Sequence, residues 1–173
     1  TLLEFIGENP DREGLANTPE RVVRFYEEWL NYDDDKSYAT MFQEEYHGMV
    51  LVDQIPVYSL CEHHMLPFYG TAAIGYIPNG KVIGLSKLVR IARKFTNRLQ
   101  VQERLTEQIA DELEATLQPK GVLVVISAEH MCMSLRGVRT PGHCTTTSAI
   151  RGVFSEVATR EEALRLLNIR RKQ

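Results

Sequence analysis

The sequence GVLVVISA, residues 121–128, decides the fold class, because it is a nearly continuous apolar run of strand length. Such a run is typical of a buried β-strand. The segment before it, about residues 101–117, predicts a helix that ends ahead of Pro119 and Gly121. The segment after it, residues 145–154, predicts a further strand. A buried strand therefore stands between a helix and a second strand.

Further elements extend from this strand toward the N-terminus. Residues 49–60 and 68–77 are rich in β-branched and apolar residues, and they predict two strands. Ser86 can cap a helix that runs to about Arg98. With terminal helices added, the order is helix, two strands, two helices, two strands, helix. This order predicts the α+β class and not a doubly wound parallel sheet.

The two ends of the chain predict helices. Thr18 is the expected N-cap of the first, and Thr159–Glu162 has the capping-box pattern that opens the last. We expect a loop over residues 31–48, which includes the acidic run at 33–35. The predicted division is an N-terminal helical segment, residues 1–48, and one larger domain, residues 49–173.

Composition excludes several classes of protein. The 173 residues include 20 Lys and Arg against 23 Asp and Glu, which argues against a general nucleic-acid or membrane-surface binder. No apolar run approaches the roughly 18–20 residues that span a bilayer, and no signal peptide is visible, so we expect a cytoplasmic protein. Phosphate-loop and dinucleotide-binding glycine motifs do not occur. The three cysteines are a poor disulfide framework, which favours metal or thiol roles.

The segment SLCEHH, residues 59–64, predicts half of a metal site. Its Cys-x-x-His spacing lies where a chain must turn after a strand, and zinc accepts such a mixed sulfur and nitrogen set. Cys132 supplies a third ligand after the strand at 121–128. If that strand continued, His130, Cys132 and Arg136 would share one face. Three protein ligands would leave the open position of a catalytic zinc site.

The histidines near these ligands leave two alternatives. His63 and His130, as non-ligands beside a Lewis acid, would suit acid–base chemistry. Alternatively, His63, His143 or Cys144 closes the metal shell, and the zinc is purely structural.

Basic residues predict an anion site at the start of the helix after Ser86. Lys87 and Arg90 lie in its first turns, where free backbone N–H groups and the helix dipole favour phosphate. Lys94 and Arg98 on the same helix are better read as a solvated face. Arg21 and Arg24 on the N-terminal helix are unspecific by themselves.

Gln102 and Glu103 open the next helix. Glu103 either suits the helix N-terminus electrostatically or accepts two N–H groups from a guanine edge. The spacing of the residues does not choose between these roles.

Taken together, the residues resemble the GTP cyclohydrolase I family. The resemblance covers essentially the whole chain, and its matching stretches are GLANTPERV (14–22), SLCEHH (59–64), YIPNGKVIGLSK (76–87), RLQVQERLTEQIA (98–110), HMCM (130–133) and RG (136–137). It implies the tunnelling fold, in which an antiparallel four-stranded sheet carries two helices. It also implies a ring-shaped homodecamer with active sites at subunit interfaces, converting GTP and water to 7,8-dihydroneopterin triphosphate and formate.

The resemblance also assigns residue roles. It implies one zinc per subunit, bound by Cys61, His64 and Cys132, with His63 and His130 as acid–base residues. Glu103, with Gln102 beside it, matches the guanine-binding carboxylate. The residues that match triphosphate contacts are Ser86, Lys87, Arg90, Arg136, Arg21 and Arg24, the last replacing a family Lys.

The segment Pro141–Thr145 departs from the family pattern through its His143-Cys144 pair. We expect Cys144 to be a buried strand residue; the alternatives are a place near the metal or a redox contact with Cys132. The rival functions are a non-catalytic zinc-stabilised assembly and another tunnelling-fold enzyme acting on a purine or pterin. A zinc nucleoside deaminase is disfavoured, because its H-x-E…P-C-x-x-C pattern is absent.

Overall fold

The computed structural model describes residues 1–30 and 41–170, with side chains described through Leu167. The acidic run at 33–35 and most of the predicted loop lie outside the described residues. The chain separates into two compact units, Thr1–Asp33 and Asp34–Gln173. The functional division predicted after residue 48 stays a prediction.

The first unit contains two helices, α1 (Leu2–Phe5) and α2 (Thr18–Leu30). The Asn17 carbonyl accepts the first helical hydrogen bond of α2, from the Arg21 N–H at 3.1 Å. Thr18 is therefore the first helical residue and not the N-cap that we predicted. Arg21 and Arg24 lie on one side of α2, because residues three apart are neighbours on a helix.

The second unit is built on a five-stranded sheet with the order β5-β2-β3-β6-β7. Its strands are β2 (Val50–Cys61), β3 (Pro67–Ile77), β5 (Leu99–Gln100), β6 (Gly121–His130) and β7 (Thr145–Gly152). All neighbours pair antiparallel except β2 and β5. The four predicted strands correspond to β2, β3, β6 and β7. β1 (Met41–Gln43) falls in the predicted loop and pairs with β4 (Lys81–Ile83) in a separate two-stranded sheet.

Four helices complete the second unit: α3 (Leu85–Thr96), α4 (Gln102–Leu117), α5 (Met131–Ser134) and α6 (Val157–Arg170). α3 begins after Gly84, so Ser86 lies inside the helix and is not its cap, contrary to the prediction. The Glu156 carbonyl accepts from the Arg160 N–H at 3.1 Å, which starts α6 before Thr159. The predicted capping box is therefore wrong as well.

Apolar side chains cover both faces of the sheet. On one face, α3 and α4 bury residues such as Leu88, Ile109 and Leu113 against Val124 and Ile126. On the other face, a smaller cluster joins Leu123, Phe154 and Ala163, and it includes α6. Among the helices that the structure describes, none is both long enough and apolar enough to cross a lipid bilayer.

Candidate metal centre and active site

Three neighbouring strands, β2, β3 and β6, have termini side by side at the same end of the sheet. In the antiparallel register, Leu60 near the end of β2 pairs with Pro67 at the start of β3. Phe68, the next residue of β3, pairs with His130 at the end of β6. The segments that follow β2 and β6 therefore begin close together, although some 70 residues separate them in sequence.

Cys61, His64 and Cys132 come together at this end of the sheet. One potential ligand atom from each lies within 4.8 Å of the other two, and no other such group of three or more occurs within residues 1–30 and 41–170. Cys61 Sγ lies 3.9 Å from His64 Nδ1. The strand ends at His130 and α5 delivers Cys132, so the predicted strand alternation does not explain its position. The helical turn of α5 places Cys132 beside the other two ligands.

The chemistry of this donor set fits zinc. Two sulfurs and an imidazole suit zinc, whereas magnesium and calcium require oxygen ligands. Burial and the neighbouring Cys61 thiol raise the pKa of Cys132. The Cys132 thiol therefore resists ionisation unless a cation lies beside it, and metal binding supplies that cation.

Two of the three residues that could have closed the metal shell, His143 and Cys144, have other partners. His143 Nδ1 lies 2.8 Å from the Thr140 carbonyl oxygen, and its Nε2 accepts from the His130 backbone N–H at 3.3 Å. Cys144 is exposed, with Sγ 2.8 Å from Ser127 Oγ, so the expectation of a buried strand residue is wrong. It precedes β7 at the surface, where no packing covers it. Neither residue belongs to the three-ligand cluster.

The turn that carries His63 is fixed from both sides. Cys61 O accepts from the Met65 N–H at 2.8 Å, which closes the turn. Glu62 accepts two hydrogen bonds from Arg104 of α4, at 2.6 and 3.2 Å, and this pairing holds the pKa of Glu62 below its usual value. His63 is exposed, and its Nδ1 lies 3.7 Å from Cys61 Sγ. The predicted acid–base residue therefore adjoins the metal cluster.

His130 occupies a more enclosed position. Its ring stacks on Phe68 with centroids 4.7 Å apart and planes 11° apart. Its Nε2 lies 2.8 Å from Gln102 Oε1. Burial lowers the pKa of His130, His143 lowers it further, and the Glu103 carboxylate acts in the opposite direction. Glu103 is thus within electrostatic range of His130, as a shared site requires.

A loop between α5 and β7 borders the cluster. Glu129 accepts from Ser134 Oγ at 2.5 Å and from the Gly142 N–H at 2.9 Å, and these contacts lower the pKa of Glu129. Within this loop, Arg136 Nη1 donates to His64 Nε2 at 2.9 Å. The structure therefore brings one predicted phosphate-binding cation to the metal cluster.

The other predicted phosphate contacts lie on helices. Ser86 is exposed and Lys87 and Arg90 are half-buried in the first turns of α3, whose N-cap, Gly84, offers no side chain to the free N–H groups. Arg21 and Arg24 belong to the first unit. Their roles stay predictions.

Sequence reasoning did not identify several supporting residues. Phe68, Glu129 and Arg104 belong to none of the predicted ligand or anion-binding patterns. The only signal was adjacency, because Glu129 precedes His130 and Phe68 begins the predicted strand after SLCEHH.

Comparisons with known proteins agree with this geometry. The family model described as GTP cyclohydrolase I matches residues 1–168. GTP cyclohydrolase 1 of Carboxydothermus hydrogenoformans is 58% identical over 171 residues, covering 96% of this chain and 89% of the relative. GTP cyclohydrolase 1 of Aquifex aeolicus is 59% identical over 172 residues, covering 96% and 91%.

A solved structure shares the fold. The archaeosine synthase QueF-Like in its apo form superposes with a TM-score of 0.51 at 17% identity, covering 62% of this chain and 97% of the other. At that identity the likeness concerns the fold alone, and it confirms the predicted tunnelling fold. Because the family model and the relatives extend over nearly all of the sequence that builds this site, the chain belongs to the GTP cyclohydrolase I family.

Proposed function

We propose that Cys61, His64 and Cys132 bind one zinc ion per chain, and that this zinc serves the hydrolysis of GTP. The enzyme converts GTP and water to 7,8-dihydroneopterin triphosphate and formate. The observation that carries the proposal is the convergence of the three ligands within 4.8 Å, with His63 beside Cys61 and His130 at the end of the strand that leads to Cys132. When bound, zinc would act as a Lewis acid and would lower the pKa of a water ligand to about 7.

His130 is the proposed acid–base residue for the imidazole ring of guanine. Its lowered pKa keeps the ring neutral near pH 7, so it can accept a proton before it returns one. Stacking on Phe68 and the hydrogen bond to Gln102 restrict its motion. The side chain is thereby held in one orientation for proton transfer.

His63 is the proposed acid–base residue for the ribose, which must open and rearrange before the pterin ring closes. Its exposure leaves the ring accessible to substrate. The turn beneath it is held by the Glu62–Arg104 pair, so access does not require a loose backbone.

Glu103 is the proposed guanine-binding carboxylate. It lies exposed in the first turn of α4 and acts electrostatically on His130, which supports a place near the reacting ring. A carboxylate that accepts two guanine N–H groups is left unpaired by adenine, and this penalises adenine nucleotides. Gln102, predicted beside it, directs its side chain into the protein instead.

The triphosphate binds, in this proposal, to Arg136 and to the first turns of α3. The uncapped N–H groups of α3, together with Ser86, Lys87 and Arg90, offer donors and positive charge to phosphate oxygens. Arg21 and Arg24 are proposed to contribute in the assembled ring. These groups orient the substrate and break no bond.

The proposal also includes the assembly of the chain into a ring-shaped homodecamer with active sites at subunit interfaces. The proposed location is the cytoplasm. Family membership supports it. The mass of the native particle by light scattering tests the assembly, with ten chains expected. A stable, fully active monomer would contradict sites at the interfaces.

Incubation with GTP tests the activity. We expect formate, and a pterin that fluoresces after oxidation, with both products lost after chelation and recovered with zinc. A zinc-loaded protein that leaves GTP intact, while a verified relative turns it over, would refute the proposal. If GTP handling is unchanged by His130→Ala while the oligomer collapses on Cys61→Ala, the zinc is structural only. A different purine or pterin product would identify another tunnelling-fold activity.

A further inference from the structure

Gln102 holds an unusual position for a residue next to a substrate-binding carboxylate. Its side chain is only 1% exposed, although it occupies the first turn of α4 beside the exposed Glu103. A buried amide must find hydrogen-bond partners or lose stability. The partners that it finds determine what it can do.

The amide nitrogen of Gln102 faces three acceptors. Nε2 lies 3.1 Å from the Ile126 carbonyl oxygen, 3.0 Å from the Thr145 carbonyl oxygen and 3.1 Å from Thr147 Oγ1. Carbonyl oxygens only accept, so the group that faces them must be the NH₂ end of the amide. β6 and β7 therefore fix the orientation of this side chain.

The hydroxyl protons around the amide have assigned directions too. Thr106 Oγ1 donates its single proton to the Gln102 backbone carbonyl at 2.7 Å. In the 2.7 Å contact between Thr106 and Thr147, Thr147 must then be the donor. Thr147 Oγ1 therefore has no proton left for Gln102 and can only accept at its contact with Nε2, so it does not compete for the amide oxygen.

The oxygen end of the amide is left for His130. Oε1 carries no proton, and His130 Nε2 lies 2.8 Å from it, so Nε2 must carry the proton. Within residues 1–30 and 41–170, no protein group bonds to His130 Nδ1. Phe68 supports the flat side of the ring, so the ring cannot easily turn over.

We propose that Gln102 is a positioning residue that holds His130 protonated at Nε2, which makes Nδ1 the nitrogen that takes up and returns the proton in the reaction. The inference rests on the proposed function of His130. In the first step, water adds its oxygen to the carbon of the guanine imidazole ring, Nδ1 of the neutral ring accepts the proton that this water loses, and His130 becomes an imidazolium. In the second step, the C–N bond breaks as Nδ1 gives that proton to the leaving nitrogen, and His130 returns to its neutral form. Nε2 keeps its proton in both steps and donates it in the hydrogen bond to Gln102 Oε1.

Gln102→Met tests the proposal, with Gln100→Met as its matched control. Gln100 is also a buried glutamine, 2% exposed, but it donates to the Phe95 carbonyl and to Gln108, away from His130. We expect both variants to melt at lower temperature than wild type. Only Gln102→Met should lose about 10- to 100-fold in kcat, a part of what acid–base catalysis contributes, with KM for GTP nearly unchanged.

Gln102→Glu separates positioning from packing. It keeps an acceptor for Nε2–H but removes the donors to Ile126 and Thr145, so it should be less stable than Gln102→Met and yet more active. A kcat no better than that of Gln102→Met would overturn the proposal. A large increase in KM with unchanged kcat would also overturn it, because it would make Gln102 a substrate contact.

The tautomer itself can be observed without turnover. Histidine labelled with ¹⁵N in both ring nitrogens, in zinc-loaded protein above pH 8, should show His130 protonated at Nε2 and unprotonated at Nδ1. Subtraction of the His130→Ala spectrum identifies the signal. A proton on Nδ1 would overturn the inference even if GTP turnover is normal. Conversely, absence of GTP turnover with the predicted tautomer would refute the proposed function alone.

Discussion

Phe68→Ala is expected to damage stability and catalysis together, because Phe68 belongs both to the core and to the wall of the active site. The side chain is 0% exposed, and its ring stacks on His130. Removal of a buried phenylalanine costs about 3–5 kcal/mol. For a chain of this size, each kcal/mol lowers Tm by about 2–4 °C, so the expected decrease is roughly 6–20 °C.

The catalytic part of the prediction follows from the lost stack. An aromatic pair contributes about 0.5–1.5 kcal/mol beyond its buried area. If that free energy holds His130 in its working orientation, its loss should lower kcat about 2- to 12-fold, since 1.4 kcal/mol is a factor of ten. The value of kcat is measured at 25 °C on zinc-loaded protein, and Tm is measured by calorimetry.

Phe154→Ala is the matched control. Phe154 is also 0% exposed, but it packs against Leu123 on the other face of the sheet. Leu123 lies seven residues before His130 in β6, roughly 23 Å along the strand. We expect a similar decrease in Tm and an unchanged kcat for Phe154→Ala. Equal kcat in the two variants would refute the argument that Phe68 positions His130.

Three further predictions concern charged residues. Arg151 pairs with Glu107 and Asp111 of α4, so Arg151→Ala should reduce the free energy of unfolding in urea by about 1 kcal/mol. High salt should diminish this effect. An unchanged urea midpoint would mean that these ion pairs contribute nothing to stability. Hydrogen bonds depress the pKa of Glu129, so their stabilisation is present above the unfolded value of about 4.3 and is lost as pH falls through the folded value. Tm of the wild type should therefore fall more steeply below pH 4.3 than Tm of Glu129→Gln, and parallel curves would contradict this. Glu103→Gln should raise KM for GTP about 10- to 150-fold, the worth of charge-assisted hydrogen bonds of about 1.5–3 kcal/mol, and an unchanged KM in steady-state kinetics would remove Glu103 from the guanine site.

The long periodic elements of this fold could be predicted from sequence, because burial leaves a pattern in them. The run at 121–128 and the amphipathic helices before it correspond to β6, α3 and α4 within a few residues. Strands of two or three residues, such as β1, β4 and β5, carry no periodic signal, and their partners are distant in sequence. The helices α2 and α6 begin earlier than predicted, because the backbone carbonyls of Asn17 and Glu156 accept their first hydrogen bonds. Every residue has a backbone carbonyl, so the sequence does not mark these positions.

The site was predictable in its ligands and less so in its supports. Cys61, His64 and Cys132 have metal-binding side chains, and each follows a predicted strand. The structure brings the three together. Cys132 arrives through α5 and not through a continued strand, which spacing alone could not reveal. The partners of Gln102 lie 24 to 45 residues away in sequence, so its inward orientation depends on the register of β6 and β7. Tertiary contacts of this kind leave no trace in a local motif.

The coordination of zinc in the active enzyme is the most direct test of the account. X-ray absorption at the zinc edge should show two sulfur ligands near ~2.3 Å and two nitrogen or oxygen ligands near ~2.0–2.1 Å. One of the sulfur ligands should disappear in Cys132→Ser. Zinc that is bound without sulfur, or that keeps both sulfurs in Cys132→Ser, would contradict a centre formed by Cys61, His64 and Cys132.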